Sequence, residues 1–181
     1  MPGETFLRTD RLTLRTVERD DVDFLQRGHN DPDVRTPLGM YGPKNGAQVE
    51  GFVQGSVEDD DSIDLLVCVD DDPVGAATVN NLHWDRPALG YWLVPEARGN
   101  GYATEAVGAL VDHLFETYDR HGVHARVFDF NEASRALLDR LGFAEEGRLR
   151  ENRFRRGEYV DELTYGLLRR EWEEARPLAE R

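Results

Sequence analysis

The sequence predicts an α+β fold: one mixed, mostly antiparallel central sheet flanked by about four helices. Three observations carry that expectation. The period of the apolar residues switches repeatedly between the strand and helix values along the chain. The order reads strand, two helices, three antiparallel strands, helix, strand, helix and a closing hairpin, a grouping typical of α+β architecture. The 181 residues, 39% of them hydrophobic, suffice for one core that buries about 70% of the unfolded surface. No internal repeat or low-complexity linker interrupts the chain, so residues 1–181 read as one domain.

Each element has its own signal. Arg11-Leu-Thr-Leu-Arg15 alternates polar and apolar, as a strand does. Asp20-Asp21 is placed to cap a helix carrying Val22, Phe24 and Leu25 that ends near Gly28. After a loop rich in Pro and Gly, Val49, Phe52, Val53 and Val57 recur at helical spacing. Ile63–Val69 and Val74–Leu82 are apolar strands around the turn Asp70-Asp-Asp-Pro73, which makes a hairpin. Ala88–Val94 is a third strand. Thr104–Tyr118 carries Ala106, Val107, Leu110, Val111, Leu114 and Phe115 as an apolar helical stripe. Val123–Phe128 is a strand, and Ala133–Leu141 is a helix stopped at Gly142. Arg148–Phe154 and Tyr159–Leu168 form the last hairpin around Arg156-Gly157, and the tail 169–181 reads as a short helix.

Charge and composition narrow the function. Asp and Glu number 36 against 22 Lys plus Arg, for a net charge of -14, and Lys44 is the only lysine. Such a surface repels a nucleic-acid backbone, so nucleic acid is not the expected partner. It resembles the solvated acidic surface of proteins from salt-accumulating cells, and it can also draw in a cationic substrate. No apolar run reaches the roughly 20 residues that span a bilayer, and the first residues have no apolar core of a signal peptide. No membrane association is expected, and a cytoplasmic location is. Cys68 is the only cysteine; it sits mid-strand and is expected to be buried packing. No metal site is expected.

The informative stretch is Val94-Pro-Glu-Ala-Arg-Gly-Asn-Gly-Tyr-Ala-Thr-Glu-Ala106, a strand end that becomes a helix start. A helix N-terminus exposes unpaired N–H groups and partial positive charge. Gly99 and Gly101 allow the backbone to approach a ligand closely, and Thr104 adds a hydroxyl, which together suit a phosphate or pyrophosphate. A Walker loop is excluded by the absence of Gly-Lys-Ser/Thr, and a dinucleotide fingerprint would need glycine where Thr104 stands.

The segment Gly90–Ala106 resembles the acetyl-CoA-binding segment of the GCN5-related N-acetyltransferases (GNAT), and more narrowly the RimJ/RimL-like ribosomal-protein branch. Arg98, Gly101 and Ala103 match the core signature. Asn131-Glu-Ala-Ser-Arg-Ala-Leu-Leu-Asp-Arg-Leu-Gly-Phe143, Thr9-Asp-Arg-Leu-Thr-Leu-Arg15 and Gly157-Glu-Tyr-Val-Asp161 are similar to further motifs of the branch. The likeness runs from about Leu7 to Leu168 and leaves 169–181 as a tail. It implies a sheet splayed in the middle, between the strand ending at Val94 and the strand Val123–Phe128. It also implies acetyl-CoA as cofactor. Leu93, Val94, Arg98, Gly99, Asn100, Gly101, Tyr102, Ala103, Thr104, Asn131, Ser134 and Leu138 are the cofactor-binding positions, and a backbone N–H near Leu93 or Val94 faces the thioester oxygen.

The reaction so implied is direct attack, in a ternary complex, of a neutral primary amine on the thioester. The acceptor is a protein N-terminal α-amine or a small amine. Many superfamily members carry a tyrosine at the position of Leu138; Ser134 is the alternative hydroxyl to protonate the leaving thiolate, or else it only binds cofactor or caps its helix. Candidates for the base are Glu105, His83 and Asp161, and an ordered water would replace all three. The arginines from 148 to 156 are interspersed with acids and are expected to be compensated locally. A rival reading is an acetyl-CoA-binding or sensing module without turnover. The oligomeric state is expected to be monomer or homodimer. If the acidic surface is salt-adapted, screening raises the melting temperature between dilute buffer and molar potassium chloride; a flat or falling calorimetric series rejects that reading.

Overall fold

The strands form an eight-stranded sheet in the order β1-β2-β3-β4-β5-β6-β8-β7. The computed structural model describes residues 3–58 and 60–175. The strands are β1 (Thr5–Arg8), β2 (Thr13–Thr16), β3 (Ser62–Val69), β4 (Asp72–Asn80), β5 (Ala88–Leu93), β6 (Gly122–Phe128), β7 (Ala144–Arg155) and β8 (Glu158–Leu168). The helices are α1 (Val22–Asn30), α2 (Pro32–Arg35), α3 (Gly46–Glu58), α4 (Tyr102–Thr117), α5 (Glu132–Arg140) and α6 (Arg169–Ala175). Among the described residues, no helix is long and apolar enough to cross a membrane.

Strand alternation divides the core between two faces. On one, Leu14, Leu65, Val67, Ala77, Leu89 and Leu93 pack under Val107, Leu110, Val111 and Leu114 of α4. On the other, Leu66, Cys68 and Ala76 pack under Val22 and Leu25 of α1 and Val49 and Val53 of α3. Cys68 is buried, as expected. The turn Asp70-Asp71 takes positive φ at both residues, and so do Arg156 and Gly157. That is the backbone a two-residue hairpin needs to match strand twist.

Seven neighbouring strand pairs hold the sheet together, and one differs from the rest. β4 and β5 pair continuously from Gly75↔Leu93 to Asn80↔Ala88. β6 and β8 pair continuously from Gly122↔Leu168 to Phe128↔Glu162. Between β5 and β6 the ladder is parallel and holds only Ala88↔His124. From that point the strands diverge toward the C-terminal end of β5, which is the expected splay.

Several expectations are corrected. Two short elements, β1 and α2, were not foreseen, and β7 starts at Ala144 rather than Arg148. The strand expected over Arg11–Arg15 spans Thr13–Thr16. Asp21 precedes α1 but makes no side-chain cap. Its carboxylate instead accepts from Arg15 Nη1 and Nη2 at 2.9 and 2.7 Å and from the Glu18 N–H at 2.8 Å. Arg15 lies across the 3-10 turn Arg19–Asp21, and an ionised guanidinium fork binds a carboxylate more strongly than a helix N–H does. In the tail, only Arg169–Ala175 is described as helix; residues 176–181 lie outside the described residues, as does the side chain of Val57.

Arg15 and Asp21 are 6% exposed each, so each charge depends on the other. Removing one partner of such a buried pair typically costs about 3–5 kcal/mol. Asp21→Ala is therefore expected to lower unfolding stability by an amount in that range, read from urea denaturation of the purified variant. A loss under 1 kcal/mol, on the order of a surface pair, rejects the pair as a structural constraint.

Candidate active site

The divergence of β5 from β6 opens a cleft of about 380 Å³ between β5, the start of α4, the start of α5 and the α2 loop. β5 presents Leu93 and Tyr91 to it, and α5 presents Asn131 and Ser134. Asp33, Pro37 and Leu38, from α2 and the loop after it, complete the lining.

The turn into α4 is built for close approach. Gly99 and Gly101 have φ of +80° and +81°, a region that L side chains rarely adopt. The first hydrogen bond of the helix is Glu105 N–H to Gly101 O, at 3.1 Å. The N–H groups of Tyr102, Ala103 and Thr104 thus precede the intrahelical ladder and sit at the positive end of the helix dipole. All three residues line the cleft.

Arg98 is the hub of the wall. Its Nε and Nη2 donate to the Leu93 carbonyl at 3.1 and 3.0 Å, and Nη2 also donates to the Asp33 carbonyl at 3.0 Å. One guanidinium thus ties the end of β5 to α2. Arg11, absent from the sequence-based candidates, supports the same turn from outside. It donates to the Asn100 carbonyl at 2.9 Å and stands over the Tyr102 ring at 5.0 Å.

Nine of the twelve expected cofactor positions line this cleft: Leu93, Arg98, Gly99, Gly101, Tyr102, Ala103, Thr104, Asn131 and Ser134. Three do not. Asn100 turns its amide back onto the Ala97 and Arg98 carbonyls. The Val94 N–H donates to the Val74 carbonyl at 2.9 Å, which removes it as a free donor. N–H groups alternate sides along a strand, so the Leu93 N–H points away from β4, toward the gap. Leu138 is fully buried in the main core; Leu137, one position earlier, takes the cleft-lining place.

The three base candidates are engaged elsewhere. Glu105 receives hydrogen bonds from Thr9 Oγ1 (2.6 Å) and the Arg11 N–H (3.0 Å), and pairs with the Arg11 guanidinium (2.6 Å). Burial alone would raise its pKa, but these donors outweigh it and hold the carboxyl below its ordinary value. Glu105 thus pins the N-terminal Thr9–Arg11 segment to α4. Asp161 accepts from the Glu151 N–H at 2.8 Å and from Arg148 at 2.7 Å, which lower its pKa. His83 pairs with Asp61 beyond the end of β4, next to the start of β5 and far along that strand from Leu93. The local charge compensation expected of the last hairpin is present in Arg148–Asp161 and Arg153–Glu162.

Ser134 does not cap its helix. Asn131 does, accepting the Ser134 N–H at 3.2 Å. The Ser134 hydroxyl instead lies 2.6 Å from the phenolic oxygen of Tyr91. Sequence reasoning missed Tyr91. The parity of β5 was the available signal, because Leu89, Tyr91 and Leu93 share the α4 and α5 face while Trp92 stacks on Phe24 of α1.

Comparison with known proteins agrees with this geometry. Residues 11–144 match the acetyltransferase (GNAT) domain. The chain is 35% identical over 173 residues to a Bacillus subtilis protein named "Putative ribosomal N-acetyltransferase YdaF", covering 91% of this chain and 94% of that one. It is 31% identical over 173 residues to the uncharacterized N-acetyltransferase p20 of Bacillus licheniformis, covering 92% and 97%. A solved Vibrio cholerae spermidine N-acetyltransferase, in complex with CoA and spermine, superposes with a TM-score of 0.85 at 22% identity, covering 91% and 99%. The chain belongs to the GNAT acetyltransferase family and is an acetyl-CoA-dependent N-acetyltransferase of that type. Within the family it falls in the RimJ/RimL-like branch.

Proposed function

We propose that this enzyme acetylates the α-amine of a polypeptide, and that the nine cleft-lining positions hold the cofactor. The observation that carries the acceptor is the absence of an available strong base. Among the described residues lining the cleft, the only carboxylate is Asp33, and there is no imidazole. His29, outside the lining, packs against the Trp92 ring at 6.1 Å. Burial, and then Lys44, lower its pKa. An α-amine, with a pKa of about 7.7–8.0, is already substantially neutral near pH 8, whereas a lysine or polyamine nitrogen near 10.4 is not.

The charge at the α2 side supports the same choice. Arg155 donates to the Thr36 carbonyl, next to Pro37 and Leu38 of the cleft. Its guanidinium lies over Phe130 at 4.9 Å. Burial pushes the Arg155 pKa down, with Arg156 and Arg35 contributing in the same direction. Arg155 over exposed Phe130, tied to the chain beside Pro37 and Leu38, puts positive charge next to the cleft and opposes a polycation. It suits an extended peptide with apolar or acidic residues after its first.

The cofactor reading rests on fit. The three free N–H groups at the start of α4 suit a pyrophosphate, and the unpaired edge of β5 suits an amide-bearing arm. Bound acetyl-CoA supplies the activated acetyl group. The Leu93 N–H is the donor placed to stabilise negative charge on the carbonyl oxygen, while Arg98 fixes the strand that carries it. Holding both reactants in one cleft supplies proximity.

Two experiments test these readings. Gly101→Glu puts a carboxylate and a Cβ at a left-handed position beside the free N–H groups. CoA affinity is expected to drop at least tenfold, about 1.4 kcal/mol, with secondary structure kept; unchanged calorimetric affinity rejects the cradle. For the acceptor, kcat/KM measured on acidic N-terminal peptides, free lysine and spermidine is expected to favour the peptides. With peptide it rises with pH and levels above about pH 8, as the amine loses its proton. A preference for spermidine overturns the α-amine assignment, and absence of turnover with every amine favours a binding module.

A further inference from the structure

We infer that Tyr91 is a positioning residue that sets the direction of the Ser134 hydroxyl. The inference rests on the proposed placement of the cofactor in the β5–α5 cleft. Three features of the pair carry it. The two oxygens are 2.6 Å apart, a short distance for neutral hydroxyls. Tyr91 comes from β5 and Ser134 from the first turn of α5, so this contact bridges the gap where the sheet has lost its ladder. Both residues line the cleft.

The direction of the bond decides what Ser134 does. A serine hydroxyl has one hydrogen and two lone pairs. If it gives the hydrogen to Tyr91, it has no donor left for a ligand. If it accepts from Tyr91, its own O–H is free to point into the cleft. A phenol is the stronger acid of the two and so the better donor, and an aliphatic hydroxyl is the better acceptor. Burial pushes the Tyr91 phenol up to about 12, so it keeps its hydrogen throughout the working pH range. The Ser134 carbonyl, at 3.4 Å, is the weaker alternative for the same phenolic hydrogen. The backbone N–H of Ser134 is already spent on Asn131. Tyr91 therefore acts as a fixed donor, and the Ser134 O–H is held ready to hydrogen-bond the negative charge that develops on the departing sulfur. No proton passes through Tyr91.

This role predicts a dependence that simple packing does not. Tyr91→Phe keeps the ring and removes the donor. It is expected to lower kcat about tenfold, with the acetyl-CoA KM within about twofold and the pH profile unchanged below pH 10. Ser134→Ala is expected to lower kcat by at least as much. In the Ser134→Ala background, Tyr91→Phe is expected to change kcat by less than twofold, because there is no hydroxyl left to orient; the double-mutant cycle reads this coupling directly. Ser134→Thr, which keeps a hydroxyl, restores the sensitivity to Tyr91→Phe. A full tenfold loss from Tyr91→Phe in the Ser134→Ala background, or an unchanged kcat in Tyr91→Phe alone, overturns the inference. An unchanged kcat in Ser134→Ala would instead overturn the role of Ser134. Loss of calorimetric acetyl-CoA binding in the wild-type protein would overturn the cofactor site itself.

Discussion

A sheet that stops pairing in its own middle is the constraint on which the rest of the structure depends. β5 and β6 share only Ala88↔His124, yet both are interior strands, with β4 and β8 on their outer sides. Buried backbone groups must be satisfied, so the gap needs substitutes for the missing ladder. Arg98 is one, through the Leu93 carbonyl. The Tyr91–Ser134 hydroxyl contact spans the same gap with side chains and leaves the strand backbone groups as they are. Groups left over, such as the Leu93 N–H, are where a ligand's own amides and carbonyls can complete the sheet. Catalytic geometry and fold geometry are then one problem, solved by the same few residues.

Away from the gap, charged pairs fix the N-terminal part of the chain. Glu105 holds Thr9 and Arg11 against α4, and Arg15 with Asp21 forms a buried pair beside the α1 and α3 core. None of these groups touches the cleft. The first ties the chain between β1 and β2 to the start of α4, and the second ties β2 to the turn that precedes α1. A carboxylate near a glycine turn was a reasonable candidate base. That of Glu105 accepts from Thr9 and Arg11 and holds that segment to α4.

Long amphipathic elements were legible because burial of one face imposes a period. The stripe from Ala106 to Phe115 is a direct case, while β3 was legible as a continuous apolar run because both of its faces are buried. The four-residue β1 and α2 were not legible, since so few residues cannot establish a period. Asp21 misled because a helix-capping aspartate and an ion-paired one look identical until Arg15, across a turn, is placed beside it. The glycine turn and Asn131–Ser134 were readable because their chemistry is local in sequence. The roles of Glu105, Asp161 and His83 were not, since each is decided by a partner whose position only the fold supplies. Leu138 and Tyr91 mark the same limit at the level of side-chain direction: one turns into the core and the other into the cleft.

The single lysine has a chemical consequence. An enzyme that handles an activated thioester exposes its own nucleophiles to it. Guanidinium groups stay protonated at any physiological pH and do not compete as acyl acceptors, so 21 of the 22 basic side chains are inert toward the cofactor. Lys44, whose backbone N–H and carbonyl are both bound by Asn30, is the lone exception. The folded chain therefore carries its positive charge in a form that acetyl transfer cannot erase, and its own side chains offer the reaction almost nothing to modify.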